Sequence, residues 1–96
     1  MNNDILHDEQ KQRFILEIEG KKAQLDYRLA NPSEQEKGGT IDFVHTYVPE
    51  ELRGRGHAER LVRHGLKWAQ EQEYTIHASC WYVAKFLRQH SAKVGQ

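Results

Sequence analysis

Val48-Pro49-Glu50-Glu51-Leu52-Arg53-Gly54-Arg55-Gly56-His57-Ala58 is the stretch on which the reading of this chain turns. Before it, Thr40 to Val48 has the period and the β-branched content of a strand. Strict alternation assigns Ile41, Phe43, His45 and Tyr47 to one face and Thr40, Asp42, Val44, Thr46 and Val48 to the other. After it, Ala58, Leu61, Val62, Gly65, Leu66 and Ala69 recur at helical spacing, an apolar stripe that predicts a helix from Gly56 to Gln72. Tyr74 to Ala78 is short and rich in strand formers, and the helix before it supplies the crossover that a parallel strand pair requires. Thr40 to Ala78 therefore reads as a βαβ unit with a glycine turn at its strand-to-helix junction.

Outward from that unit, Phe14, Leu16 and Ile18, then Ala23, Leu25, Tyr27 and Leu29, alternate with polar residues on either side of Gly20, the pattern of a β-hairpin. Asn31 to Gly39 combines turn formers with charges and contains no apolar residue, which predicts an exposed loop. Tyr82, Val83, Phe86, Leu87 and His90 return to helical spacing, and the polar residues through Gln96 are expected to fray. The fold class is α/β (α+β), a mixed sheet with an antiparallel N-terminal hairpin, a βαβ unit and a C-terminal helix.

At 96 residues the chain is expected to form one domain spanning 1–96. Its 38% hydrophobic and 29% charged content excludes neither a core nor a soluble surface, and argues against wholesale disorder. Fourteen Lys and Arg balance fourteen Asp and Glu, so no global field draws the chain to nucleic acid or anionic lipid, and neither is expected as a partner. Cys80, the single cysteine, cannot form an internal disulfide; with no signal-peptide pattern at Met1-Asn2-Asn3-Asp4, this predicts a cytoplasmic protein. No apolar run approaches the roughly 18 residues of a membrane span. His57, His64, His77 and His90 lack metal-ligand spacing and read as surface or helix-end residues, so no metal is expected. Trp68 and Trp81 are expected to cover the sheet or a ligand groove. Oligomeric state is not legible in the sequence.

A strand that ends at Val48-Pro49 and reopens as a helix after Gly56 presents free backbone N–H groups at a helix N-terminus, where the macrodipole favours an anion. Gly54 and Gly56 allow a tight turn and close approach, Arg53 and Arg55 add charge, and small Ala58 lets the first helical turn come near. The bland alternative is a turn shaped by glycine with solvated arginines. The βαβ context and the amphipathic helix behind the turn favour an anion site, with pyrophosphate as its natural guest.

Arg53-x-x-Gly56-x-Ala58, between a strand and a helix, resembles the coenzyme A signature Q/R-x-x-G-x-G/A of the GNAT N-acetyltransferase superfamily. His45-Thr46-x-Val48-Pro49-x-x-Leu52-Arg53-Gly54-x-Gly56, with Cys80 and Val83 further on, looks like the small stand-alone branch of GNAT-like domains, over Phe14 to His90. The resemblance implies a sheet in which the strand ending at Val48 splays from the strand ending near Ala78, with the pantetheine arm of acetyl-coenzyme A between them. It implies that backbone groups of Thr46, Tyr47 and Val48 bond the arm like an added strand. Arg53, Gly54, Arg55, Gly56, His57 and Ala58 would hold the pyrophosphate. Cys80-Trp81-Tyr82-Val83 and His90-Ser91 depart from the Cys-Pro-[Phe/Tyr]-Val and His-Pro usual in that branch. The chain also lacks the N-terminal helices that wall the acceptor site in larger members, so the acceptor pocket is expected to be open.

Acetyl transfer to an amine needs a neutral amine, a donor for the developing oxyanion and a proton source for the departing thiolate. His45 is either a base for the amine or an inward strand histidine satisfied by a backbone carbonyl. Cys80 is either a nucleophile that accepts the acetyl group or a small wall of the pocket. Tyr82 is either the acid for the thiolate or part of the core stripe with Val83, Phe86 and Leu87. Two functions follow: acetyl-coenzyme A-dependent N-acetylation of an amine, on a small molecule or a protein, or non-catalytic binding of acyl-coenzyme A as a sensing module.

Overall fold

The computed structural model describes residues 5–30 and 39–91. Strand β1 (Ile5–Asp8) pairs with β2 (Arg13–Ile18), β2 with β3 (Lys21–Ala30), and β3 with β4 (Thr40–Tyr47), all antiparallel. Helix α1 (His57–Glu71) carries the chain to β5 (Thr75–Ala78), which joins β4 in parallel and completes the order β1-β2-β3-β4-β5. Helix α2 (Trp81–Ser91) follows. The hairpin, the βαβ unit and both helices lie where periodicity predicts them. Most of the expected Asn31–Gly39 loop falls outside the described residues, and a 3₁₀ turn at Glu50–Leu52, unsignalled in the sequence, anchors buried Leu52 ahead of the glycines. No helix among the described residues is long and apolar enough to cross a membrane.

Phe14, Leu16, Ala23, Leu25, Tyr27, Ile41 and Phe43 turn to one face of the sheet, and the stripe Leu61, Val62, Gly65, Leu66, Ala69 of α1 lies on them. Val83 and Phe86 of α2 belong to the same cluster, so both helices cover one face. Gly65 is what lets α1 come so near. A Cβ there would lie 2.9 Å from Leu25 Cδ2 and 3.0 Å from Phe43 Cε1, closer than packed carbons approach. Among the described residues no helix covers the opposite face, which carries Arg13, Gln24, Asp26 and Arg28 in alternation with the core residues.

Strict alternation fails once, and the failure corrects an expectation. Asp26 and Tyr27 are consecutive in β3 but pair with His45 and Phe43, leaving Val44 as the extra residue of a β-bulge in β4. Beyond the bulge, His45 and Tyr47 oppose Asp26 and Gln24 on the helix-free face, while Thr46 opposes buried Leu25. His45 and Tyr47 are therefore exposed and do not share a face with Ile41 and Phe43.

Strand β1 has no period-2 signature and was not expected. It brings His7 over the core: the ring stacks on Phe14 at a centroid distance of 4.2 Å, meets the edge of Trp68 at 4.5 Å, and its Nε2 is hydrogen-bonded to the Tyr27 hydroxyl. Trp68 thus packs against the core, and of the two alternatives for it the structure adopts the cover of the sheet.

Candidate functional site

Strands β4 and β5 pair only from Thr40–Phe43 to Thr75–Ala78. Past that point β4 carries the bulge at Val44, while β5 ends and the chain turns into α2. The turn is tied to β4 by side chain and backbone together. Ser79 N–H donates to Asp42 Oδ1 at 2.8 Å and its hydroxyl donates to Oδ2 at 2.7 Å, while Cys80 N–H donates to the Phe43 carbonyl at 2.9 Å. The Cys80 carbonyl then accepts Ala84 N–H at 3.0 Å, the first helical bond of α2. Neither Asp42 nor Ser79 carried a sequence signal, because the partners are 37 residues apart and the bond depends on the strand register.

The divergence opens a cleft of about 570 Å³, with Val44 to Val48 on one wall, Ser79 to Tyr82 on the other, and Arg53 and Ala58 also lining it. A second hollow of about 250 Å³ shares Val48, Arg53, Ala58 and Tyr82 with the cleft and adds Leu52, Gly54, Gly56, His57 and Glu59. Together they form one groove from the glycine turn to Cys80.

At the turn, Gly54 and Gly56 have φ of 81° and 83°, the left-handed region that L side chains rarely adopt. Gly56 is the N-cap of α1 and accepts Arg60 N–H at 3.1 Å, with no side chain capping the terminus. The first-turn N–H groups of His57, Ala58 and Glu59 thus have no intrahelical acceptor. His57 is half-buried, and its Nδ1 is buried with no partner among the described residues. Arg53 folds back so that its Nε donates to the Val48 carbonyl at 2.9 Å, and it borders both hollows. Arg55 is exposed and lines neither.

At the other end, half-buried Cys80 has its Sγ 3.5 Å from Thr46 Oγ1. Tyr82 borders both hollows; burial, with the negative charge of Glu59 as the smaller cause, raises its pKa above the ordinary phenol value. His45 lines the cleft from the exposed strand edge, so the inward alternative for this histidine is not the one the fold adopts. Trp81 is 73% exposed at the cleft wall, with Lys85 Nζ 5.9 Å from the ring centroid. His64 and His77 are exposed, and the side chain of His90 lies outside the described residues. No group of His, Cys, Asp and Glu that could hold a metal ion occurs among the described residues. The structure thus brings together every sequence-predicted site residue except Arg55.

The profile of the family described as GCN5-related N-acetyl-transferase matches residues 13–94. Protein NATD1 of Danio rerio is 31% identical over 86 residues, covering 88% of this chain and 73% of its own length. Protein NATD1 of Bos taurus is 30% identical and that of Homo sapiens 29%, each over 88% of this chain and 71% of its own length. The match extends from β2 into the residues after α2, and it takes in both the diverging strands and the glycine turn between them, so the chain belongs to the GCN5-related N-acetyltransferase family.

Proposed function

We propose that this chain transfers the acetyl group of acetyl-coenzyme A to an amine. The carrying observation is the groove itself. It runs without interruption from an uncapped helix N-terminus, held open by a left-handed glycine, to the place where two parallel strands part. An anion fits the first end by dipole and by unsatisfied N–H groups. An extended arm fits the second, since among the described residues β4 beyond Phe43 has no strand on its β5 side. The orphaned His57 Nδ1 beside the glycine turn adds a polar atom that a phosphate or its water can satisfy.

In this reading the coenzyme supplies an activated thioester carbonyl, and the chain holds it and manages protons. The first-turn N–H groups of α1 and the Arg53 guanidinium hold the pyrophosphate, and Thr46 to Val48 orient the arm. His45, at the exposed mouth, takes the proton that frees the amine; the new C–N bond forms as the C–S bond breaks. Tyr82 then stabilises the departing sulfur as a hydrogen-bond donor. Ordinary tyrosine and thiol pKa values already differ by roughly 1.5 units, about 2 kcal/mol against full transfer, and burial widens the gap. The thiol therefore takes its final proton from solvent.

Cys80 serves as a small wall of the groove. Its one side-chain hydrogen-bond partner among the described residues is the neutral Thr46 hydroxyl, which does not activate a thiol as a cation or base would.

Calorimetry with acetyl-coenzyme A and with desacetyl coenzyme A tests the reading. Both should bind, and Gly56→Ala should weaken both about tenfold, because a Cβ at left-handed φ costs roughly 1–2 kcal/mol. No binding of either at millimolar concentration would overturn it. The intact mass after incubation should show no acetyl adduct; one that Cys80→Ala abolishes would make the thiol an acyl carrier instead. A bound acetyl group that persists in the presence of every amine would favour the sensing module.

A further inference from the structure

We infer that the acceptor is a small amine carrying its own anionic group a few atoms away, and that Arg28 recognises that group. The inference rests on the acetyltransferase reading above. A hollow of about 490 Å³ is bounded by Arg28, Thr40, Asp42, His77 and Ser79, among others, and shares Ser79 with the cleft. It therefore abuts the point where β4 and β5 part, the end of the groove at which Cys80 stands. Arg28 pairs with Asp42, and Asp42 with His77, so the three form one row across β3, β4 and β5 on the helix-free face.

The charges along the row are not interchangeable. The Asp42 carboxylate is fixed beside the divergence by the Ser79 N–H at 2.8 Å and hydroxyl at 2.7 Å. Among the described residues Arg28 makes a single hydrogen bond, from Nη1 to the Tyr27 carbonyl at 3.2 Å, and has no ion-pair partner. A guanidinium has five donors in a fork that matches a carboxylate, and Arg28 borders the hollow with most of them uncommitted among the described residues. A ligand entering from this face meets an anion near the reacting end and a cation one strand further on. The complementary molecule carries its ammonium beside Asp42 and its carboxylate on Arg28. A polyamine or a lysine-rich peptide would set a second positive charge against Arg28 and is disfavoured. Neighbouring strands lie roughly 4.8 Å apart, so the two charged groups are separated by several methylenes and not by one.

The test is a series of ω-amino acids from glycine to 6-aminohexanoate, each with its primary amide, assayed for acetylation by wild type, Arg28→Gln and Arg28→Lys. Wild type should favour carboxylates over their amides by at least tenfold, with an optimum at one chain length. Arg28→Gln should abolish that preference, and Arg28→Lys should keep part of it. In parallel, 4-aminobutanoate and its amide are titrated into the protein with desacetyl coenzyme A, and the Arg28 and His77 side-chain resonances are followed by NMR. Only the carboxylate should shift them, and not in Arg28→Gln. Equal rates for acid and amide, a preference that survives Arg28→Gln, or no turnover of any member would each overturn the acceptor class. Calorimetry separates the two levels. Coenzyme binding that persists in wild type and both variants leaves the acetyltransferase reading standing when the acceptor class fails, whereas its absence removes both.

Discussion

At the β1–β3 end of the sheet, six consecutive residue pairs join β2 to β3, and the helix-facing side is sealed by His7, Phe14, Tyr27 and Trp68, all in mutual ring contact or hydrogen-bonded. At the β4–β5 end only four pairs form before the strands part, and the ends are held by one carboxylate and one backbone bond. The closed end spends its aromatic surface on packing. The open end leaves Trp81 and Tyr47 exposed, and past Phe43 the β5 side of β4 is unpaired among the described residues. The contrast implies a division of labour in which the closed end carries stability and the open end carries binding. Substitutions at the two ends should therefore separate into different measurements.

Phe14→Ala should have the largest effect. Phe14 is fully buried, stacked on His7 and in edge contact with His64 and Trp68. Removing such a ring from a core costs about 3–5 kcal/mol, a large share of the roughly 5–15 kcal/mol that holds a domain together. Urea denaturation should show that loss, while the fraction that remains folded binds coenzyme A as wild type does. A comparable drop in affinity of the folded fraction would break the division of labour.

Asp42→Asn probes the open end. It removes the charge from two hydrogen bonds that hold the Ser79–Cys80 turn, and the asparagine amide can accept only one of them. The site is partly solvated, so a stability loss of about 1–2 kcal/mol is expected, at the low end for charge-assisted bonds. The sharper readout is local. Cys80 alkylation should quicken several-fold and coenzyme affinity should fall about tenfold, because the wall carrying Cys80 and Tyr82 keeps its backbone bond to Phe43 but is less firmly held against β4. Unchanged alkylation with lowered stability would make Asp42 a general stabiliser and blur the comparison.

The division also explains what could be read in advance. The hairpin, the βαβ unit and the glycine turn are local: alternation, helical spacing and Gly54 and Gly56 encode them within a few residues. The bulge at Val44 is not local, since Phe43-Val44-His45 reads as plain strand and only the register against Asp26-Tyr27 reveals the extra residue. That single residue moved His45 and Tyr47 to the other face. The Asp42–Ser79 tie and the packing of β1 over Phe14 are likewise products of assembled strands. The coenzyme turn was thus legible, whereas the shape of the cleft beyond it was not.

The smallest effect expected is a pH dependence whose acid limb belongs to the closed end and whose alkaline limb the closed end shares with Tyr82. Burial is the main cause that lowers the His7 pKa below 6.5; His64 adds to it, and Glu9 and Asp8 oppose it. The unfolded chain then binds the proton more readily than the folded one, so this contribution to stability is complete above pH 6.5 and declines as pH falls below it. Tyr27, hydrogen-bonded to His7, works at the other extreme. Burial first, then the charges of Glu9, Tyr74 and Asp8, push its hydroxyl up to about 12 from 10.0. Its contribution is complete below pH 10 and lost as pH rises toward 12, where the unfolded phenol ionises first. Melting temperature followed against pH should therefore fall on both sides, with His7→Phe flattening the acid limb and Tyr27→Phe the alkaline limb. Both limbs should survive unchanged in Asp42→Asn. An acid limb that follows Asp42 and not His7 would place the pH-sensitive packing at the wrong end of the sheet.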